Sequence, residues 1–457
     1  MHPTLERALS RFTIASLLQR DAQPRVTAGV FLVATLLRLH FNLSAHPLED
    51  HVFSDMAVYD LRAERLLTRH FDAWDTFTPV GYPAFLALVF RLAGTHSLAA
   101  VAAAQAIIGG ATCAVAHRLA LRVTLSPWVA LLTSIVLVVY VPLILYGGLL
   151  LTEGPAALLV TLSCLLVLRA VEAPTTARLS AAGLVLGVAA TVRPNLLLAY
   201  PFLFLHAWAA AGRSWRSGAR LAGQVIAWSA PILLAAGIHN SRILGRPAGL
   251  GTNGGLNFFL AHAEVSGATY DDGVTTHRIG PLPNVVRYGE VFVSSEPLYE
   301  EGYFYRKGVR QLGEDPWRLL SALDNVAEGV GLGRQDFWPG WPGHDRLLVF
   351  SSKAMFWLGI LPMALHGLVL AALGRLLTRE GASRALLFGF VMSSMLTLYA
   401  FLGDPRVRVP FDAIILVLAI DGWVRGLSGL ESLRGRRADA TTRATDLAEV
   451  QDPALRR

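Results

Sequence analysis

The sequence predicts an all-α polytopic membrane protein with about ten transmembrane helices. Hydrophobic residues make up 53% of the 457 residues and charged residues only 16%, and the mean hydropathy is +0.47. A soluble domain of this size needs more polar surface than that. The apolar residues also form runs near the length that crosses a bilayer, and arginine-rich gaps separate many of these runs.

Ten apolar segments account for the predicted spans. They cover 26–41, 97–116, 127–149, 155–170, 179–192, 195–211, 221–240, 352–373, 385–402 and 409–426. The apolar stretch Val80–Phe90 is left out because it contains Pro83, ends at Arg91 and is too short to cross a hydrocarbon core of ~30 Å. We expect it to form a juxtamembrane helix lying on the membrane surface.

The charge of the gaps predicts the topology. Arginine-rich gaps lie at 117–122, 169–178, 213–220 and 375–384, and cytoplasmic loops carry such an excess. Both termini are therefore predicted to be cytoplasmic in the plasma (inner) membrane, with loops 42–96 and 242–350 outside. The net charge of +7 follows from this bias and does not indicate a nucleic-acid partner.

The spans and loops divide the chain into four predicted parts. These are an N-terminal transmembrane module (1–241) that includes the first outer loop (42–96), an extracytoplasmic subdomain (242–350), the C-terminal transmembrane helices (351–426) and a disordered cytoplasmic tail (427–457). The two cysteines, Cys113 and Cys164, lie inside apolar runs, so neither a disulfide framework nor a thiolate metal site is predicted.

Two carboxylates fall at the predicted outer face. Asp55 follows Ser54, which can cap a helix running to about Thr68, and the helix dipole favours a carboxylate there. Glu153 lies in the turn between two apolar spans, where a charge is costly and indicates a functional group. The structural alternatives are a helix-start carboxylate for Asp55 and a turn residue that reaches water for Glu153.

Three arginines lie on the same face, where the positive-inside bias disfavours them. Arg193 precedes Pro194 at the joint of two spans, and Arg406 and Arg408 occupy a short loop after Asp404. Guanidinium groups bind phosphate oxygens through two parallel hydrogen bonds, so this pair predicts a lipid-phosphate site. The alternatives are an interfacial Arg193 and a surface ion pair with Asp404.

The large outer loop contains Asn253-Gly254-Gly255-Leu256-Asn257. Asn253 and Asn257 could line a sugar pocket, or the stretch could be a structural turn. The histidines are scattered without ligand spacing, so a metal site is not supported.

Taken in order, these stretches resemble the GT-C glycosyltransferases, a superfamily of multi-span enzymes, and within it the bacterial ArnT-like and protein-mannosyltransferase-like type. The matching stretches are Ser54-Asp55 with Tyr59, Pro79–Ala87 including Tyr82, Leu151–Glu153, Thr191–Pro194, Asn253–Asn257 and Asp404–Pro410. The chain departs from the family pattern at Val80, at Val407 and after Trp317, where a Lys is often found.

The resemblance implies an inverting hexosyl- or pentosyltransferase. It would move a sugar from a polyprenyl monophosphate donor to an acceptor in the cell envelope, which could be a lipid, a glycan or a protein. Asp55 would be the catalytic base, and Arg406, Arg408 and Arg193 would neutralise the departing phosphate. Glu153 would orient the acceptor or a divalent metal ion, the one cofactor that the resemblance leaves open. Tyr59, Tyr82, Asn253 and Asn257 would contact substrate.

Three other functions remain open on sequence. A transporter or flippase of lipid-linked glycans would need charges deep inside several spans. A polymerase or ligase of the O-antigen type would use a diphosphate-linked donor. A membrane scaffold would have no catalysis at all. The simplest discriminating observation is whether Asp55 and Glu153 converge.

Overall fold

The computed structural model describes residues 14–263, 265–280, 290–333, 345–401 and 403–428. Most of the tail that we predicted to be disordered, 427–457, lies outside these residues. So do the tryptophans at 338 and 341, which belong to the end of the predicted loop 242–350.

Helices make up nearly all of the first part of the chain. They are α1 (Ile14–Leu17), α2 (Gln23–His40), α3 (Asp55–Thr68), α4 (Gly81–Ala93), α5 (Leu98–Thr124), α6 (Pro127–Val138), α7 (Val141–Gly147), α8 (Glu153–Glu172), α9 (Thr176–Val192), α10 (Tyr200–Ala210) and α11 (Trp215–Leu244). Short 3₁₀ turns at Leu48–His51, Ala73–Thr76 and Pro194–Ala199 connect some of them.

The large loop folds as a small subdomain with a three-stranded sheet. It contains α12 (Gly254–His262), β1 (Gly267–Asp271), β2 (Thr276–Ile279), β3 (Val291–Val293), α13 (Glu301–Glu314) and α14 (Arg318–Val330). The strand order is β2-β1-β3, with β2 antiparallel and β3 parallel to β1. The chain continues in α15 (Asp345–Ala354), α16 (Leu361–Ala372), α17 (Ala382–Ala400), α18 (Pro405–Arg408) and α19 (412–428).

The all-α polytopic class is confirmed, but the count of ten spans is not. Among the described residues, six helices are long and apolar enough to cross a membrane, where α15, the π-helical turn Met355–Ile360 and α16 count as one helix. Helices α6 and α7 add a seventh if this pair, bent by 52°, is one span. The other three predicted spans are helical but shorter or broken: α9 has 17 residues, α10 follows a 3₁₀ turn, and α19 is described over 412–428 only. Helix α4 has 13 residues, about 20 Å, and its surface position stays a prediction.

Small residues allow the membrane helices to pack closely. In α9, a Cβ added to Gly183 would lie 2.3 Å from the Val225 carbonyl oxygen, and one added to Gly187 would lie 2.9 Å from that of Ser229. Both oxygens belong to α11. Close approach of backbones at a small-xxx-small pattern is the usual basis of helix packing in lipid, where burial of apolar surface gives little driving force.

Polar side chains satisfy backbone carbonyls at the end of α6, where the chain breaks before α7, and at the end of α7. Arg38 of α2 is buried and donates to the carbonyl oxygens of Leu137 at 3.0 Å and Val138 at 3.3 Å. Asn42 donates to the Gly147 carbonyl at 3.3 Å, where α7 ends. The last carbonyls of a helix lack intrahelical partners, and a broken helix in a membrane must find others.

The large-loop subdomain is hydrogen-bonded to the loop 42–96, which sequence analysis predicts to be the first outer loop. The amide of Thr252 donates to the Thr76 carbonyl at 2.9 Å, and that of Asn253 donates to the Phe77 carbonyl at 3.1 Å. The ring of Trp74 stacks on His277 with centroids 3.7 Å apart. The two loops therefore lie together at one end of the helix bundle.

Candidate active site

Helix α3 begins at Asp55, and its bounds confirm the predicted helix to Thr68. The prediction that Ser54 caps it through its side chain is wrong, because Ser54 has φ 51° and ψ −126° and its side chain makes no capping bond. A non-glycine residue with positive φ is strained, by roughly 1–3 kcal/mol, and such strain is often found at functional sites. The sharp turn at Ser54 sets the direction of α3 relative to the preceding segment, and with it the position of Asp55.

Glu153 is the first residue of α8 and is almost completely buried, with 1% of its side chain exposed. The Thr152 hydroxyl lies 3.5 Å from its Oε2. The alternative of a turn residue that reaches water is therefore excluded for Glu153. A buried carboxylate requires cationic or hydrogen-bonding partners, since desolvation of an isolated charge is expensive.

Arg406 connects the two carboxylates. Its Nη2 donates to Asp55 Oδ2 at 3.0 Å, and its Nε lies 3.6 Å from Glu153 Oε1. Asp55 and Glu153 are far apart in sequence, yet one guanidinium contacts both. The convergence that sequence analysis set as its discriminating observation is thus present.

Arg193 completes the group from the end of α9. It forms an ion pair with Glu153, and its Nε donates to the Thr152 hydroxyl at 3.2 Å. Glu153 therefore lies between two arginines, whereas Asp55 contacts one. Asp55 is also the more open carboxylate, with 38% of its side chain exposed.

The charges of this group influence one another strongly. Burial by itself would lower the pKa of Arg406, but Glu153, Asp55 and Asp404 together raise it above its usual value. Burial raises the pKa of Asp404 to about 6, although Arg406 opposes the change. Asp404 also accepts from the Arg406 backbone amide at 2.8 Å, as the N-cap of the turn, and its Oδ2 lies 3.9 Å from the Arg406 Nε.

Arg408 does not join this group, although the sequence places it beside Arg406 in one short loop. Its side chain is 0% exposed. It pairs with Asp412 at 2.9 Å and donates to the Gly329 carbonyl at 3.2 Å. The reason is that residues 405–408 form a helical turn, where side chains two positions apart point about 200° away from each other. An extended loop would have placed both arginines on one side.

Tyr59 and Tyr82 lie beneath the carboxylates. Both side chains are buried, and their rings meet edge to face with centroids 5.1 Å apart. The Tyr82 hydroxyl donates to Gln105 at 2.7 Å. Tyr82 therefore packs behind the site, and it exposes no surface that could make the predicted contact with substrate.

Asn253 and Asn257 belong to the large-loop subdomain, at the start of α12. A Cβ on Gly254 would lie 2.8 Å from the Glu301 carboxylate, so this turn packs tightly against α13. Among the described residues, no hydrogen bond or ion pair joins either asparagine to Asp55 or Glu153. Their predicted role in sugar binding stays a prediction.

The donor set at the site does not suit a divalent metal. Within the described part of the chain, no group of three or more His, Cys, Asp and Glu residues could hold a metal ion. The charges of Asp55 and Glu153 are balanced by arginines. The residues present therefore do not form a metal site in this arrangement.

Sequence analysis missed Gln105, which hydrogen-bonds Tyr82 and the segment before Glu153. An isolated amide inside an apolar span is a signal that could have identified it.

As a whole, the site combines one accessible carboxylate, one buried carboxylate and two arginines. Such a set can accept a proton and stabilise an anion at the same place.

Comparison with known proteins gives one family model and several solved structures. The model of the dolichyl-phosphate-mannose-protein mannosyltransferase family matches residues 78–234, which is less than half of the chain. No curated protein matches the sequence significantly.

Three of the similar structures are of oligosaccharyltransferases from the archaeon Archaeoglobus fulgidus, one of them described as AglB. The complex with an inhibitory peptide and a dolichol-phosphate has a TM-score of 0.51 at 14% identity, over 90% of this chain and 52% of that one. The apo form gives 0.52 at 14% identity, over 91% and 52%. The form tethered to an acceptor peptide gives 0.51 at 15%, over 89% and 50%.

These similarities show a GT-C fold, and the resemblance to the GT-C superfamily is confirmed. At such identity they concern the fold alone. The chain spans about half the length of the oligosaccharyltransferase structures that it matches.

Proposed function

Starting from the GT-C fold, we propose that the protein is an inverting glycosyltransferase. It moves a sugar from a polyprenyl monophosphate to an acceptor of the cell envelope, on the extracytoplasmic face of the plasma (inner) membrane. The observation that carries the proposal is the convergence of Asp55 and Glu153 on Arg406. The matched family is described as using dolichyl-phosphate-mannose, and one similar structure contains a dolichol-phosphate.

Asp55 acts as the base. Its partial exposure lets an acceptor hydroxyl approach from the aqueous side while the lipid phosphate remains at membrane depth. As the hydroxyl oxygen attacks the anomeric carbon, its proton passes to Asp55, and the bond between that carbon and the phosphate oxygen breaks. One displacement with one base inverts the anomeric centre, as in inverting glycosidases.

Arg406 stabilises the departing phosphate. It is the arginine that contacts the accessible carboxylate, and part of its side chain is exposed, 24%. A phosphate that enters beside Asp55 meets this guanidinium first. Fixed cations at the position where negative charge develops stabilise the transition state. Arg408, which is buried and paired with Asp412, takes no part.

Glu153 positions the arginines and does not receive the proton. It is sealed from water, and both Arg193 and Arg406 lie against it. A carboxylate in this position fixes the direction of the two guanidinium groups before substrate binds, which is the requirement for electrostatic preorganisation.

The test is transfer from defined polyprenyl phosphate sugars by the purified protein. Asp55→Asn keeps the shape of the side chain and removes its basicity, so transfer should fall by roughly 10²–10⁴-fold. Donor binding and expression should persist. Asp60→Asn is the matched control, because Asp60 lies on the same helix and pairs with His96 at 2.8 Å, away from the site.

Near-normal transfer by Asp55→Asn, together with an inactive Glu153→Gln, would move the role of base to Glu153. If the unmodified protein uses no polyprenyl phosphate sugar, and envelope glycans are unchanged in cells that lack it, the proposed function is rejected.

A further inference from the structure

Gln105 is a buried amide in the transmembrane helix α5, with 2% of its surface exposed. Its Oε1 accepts from the Tyr82 hydroxyl at 2.7 Å. Its Nε2 donates to the carbonyl oxygens of Gly147 at 3.0 Å and Leu149 at 2.9 Å. Carbonyl oxygens only accept, so the NH₂ group must face them and the orientation of the amide is fixed. A polar group in an apolar span is costly unless its partners are all present, as they are here.

The first connection from Gln105 leads towards Asp55. Tyr82 belongs to α4, and its ring packs edge to face on Tyr59 of α3 at 5.1 Å. Tyr59 follows Asp55 by four residues, so the two lie on the same side of α3, one turn apart. Both tyrosines are buried and packed against each other. The bond that holds the Tyr82 hydroxyl on α5 therefore also helps to hold α3 in position relative to α5.

The second connection leads towards Glu153. Gly147 ends α7, and α8 begins at Glu153 only a few residues later. The carbonyls at the end of α7 have no partner in their own helix. Gln105 binds two of the carbonyls in this link, and Asn42 also donates to Gly147 at 3.3 Å. These bonds from Gln105 hold the segment that leads into Glu153 against α5.

We infer that Gln105 is a positioning residue that sets the separation of Asp55 and Glu153. The amide binds the segment before Glu153 directly, and it reaches the helix that begins at Asp55 through Tyr82 and its ring contact with Tyr59. Both connections keep the two carboxylates within reach of the single Arg406 guanidinium. The catalytic consequence rests on the proposed function, whereas the geometric one does not. A displacement of about 1 Å in a reacting group can lower a rate by about 10²-fold.

The geometric test is cross-linking. Asp55→Cys and Glu153→Cys are combined with Cys113→Ala and Cys164→Ala, which remove both native thiols. A short, membrane-permeant bifunctional thiol reagent reacts first at the exposed position 55. The cysteine that replaces the buried Glu153 is shorter than the glutamate and leaves room for the second reactive end, so the yield reports the separation of the two positions. We expect a high yield with Gln105 present, a strong loss with Gln105→Leu, and a smaller loss with Tyr82→Phe, which removes one connection only. Thr112→Val is the control, because the Thr112 hydroxyl bonds only to Ile108 of its own helix, at 2.9 Å.

The kinetic test uses the same substitutions with Asp55 and Glu153 intact. Gln105→Leu should lower kcat by roughly 10–100-fold and leave the KM for the donor nearly unchanged, since the arginines remain. Thr112→Val should behave as the unmodified protein does. A purely structural role would instead lower the amount of folded protein without changing kcat per folded molecule.

The two proposals fail in different ways. An unchanged cross-linking yield in Gln105→Leu and Tyr82→Phe overturns the positioning role, whatever the protein catalyses. Loss of cross-linking in a protein that transfers no sugar leaves the positioning role standing and rejects the proposed function. Where Gln105→Leu does not fold, Tyr82→Phe, which deletes one hydroxyl, decides the question.

Discussion

We expect Arg408→Met to lower the free energy of unfolding. The molecules that remain folded should still recognise the donor. Arg408 is completely buried and lies 2.9 and 3.4 Å from the two oxygens of Asp412. Without it, Asp412 keeps the Tyr140 hydroxyl at 2.8 Å but loses its cation. Removing one partner of a buried ion pair costs roughly 3–5 kcal/mol, because the other charge stays buried and uncompensated.

The measurement is the free energy of unfolding in detergent micelles, followed by tryptophan fluorescence with increasing denaturant. Arg408→Met, Asp412→Asn and the double variant form a double-mutant cycle. The double variant should recover much of the loss, since it removes the stranded carboxylate. Donor KM is measured on the folded fraction of each variant.

Arg406→Met is the matched comparison, two residues away in the same helical turn. Its stability should change less, because Asp55 reaches water and Glu153 retains Arg193. Loss of a contact between a charged group and phosphate is worth roughly 1.5–3 kcal/mol, so donor use should fall by roughly 10–100-fold. The reasoning is refuted if Arg408→Met unfolds like the unmodified protein and loses donor binding instead.

Two further predictions concern topology and pH. A cysteine that replaces Val274, which is 93% exposed, should be labelled from outside intact cells, and one that replaces Ser217 should not. Labelling of Ser217→Cys from outside would show that the predicted topology is inverted. The pKa of Asp404, raised by burial to about 6, lies above that of the unfolded chain, so the folded state takes up a proton first as pH falls. Stability should therefore rise by about 1 kcal/mol between pH 7 and pH 5 relative to Asp404→Asn, and equal pH profiles of unfolding would contradict the shift.

Composition alone was sufficient to predict the class of fold, because spanning a membrane requires long apolar helices and little else satisfies the backbone there. The ten apolar segments are helical, but their lengths could not be judged from hydropathy. The carbonyl oxygens at the break between α6 and α7 are bound by Arg38, and the one at the end of α7 by Asn42, and both residues lie far away in sequence. No local pattern reveals such partners.

The carboxylates could be identified from the sequence, because Asp55 and Glu153 stand out as charges beside apolar spans. The meeting of the two on Arg406 is a long-range property that only packing establishes. The assignment of a shared role to Arg406 and Arg408 failed for a local reason, since the loop proved to be a helical turn. Two residues that would face one way in an extended loop face opposite ways in a helix.

The sequence by itself thus determined the membrane class, the family resemblance and the residues able to carry charge at one end of the bundle. The tertiary structure alone decided which of these residues lie together. It placed Arg406 between two carboxylates, buried Arg408 against Asp412, and joined Gln105 to Tyr82 and to the segment before Glu153. The physical reason is that hydropathy and helix propensity are local, whereas the pairing of buried charges and amides depends on segments that meet only when the helices pack.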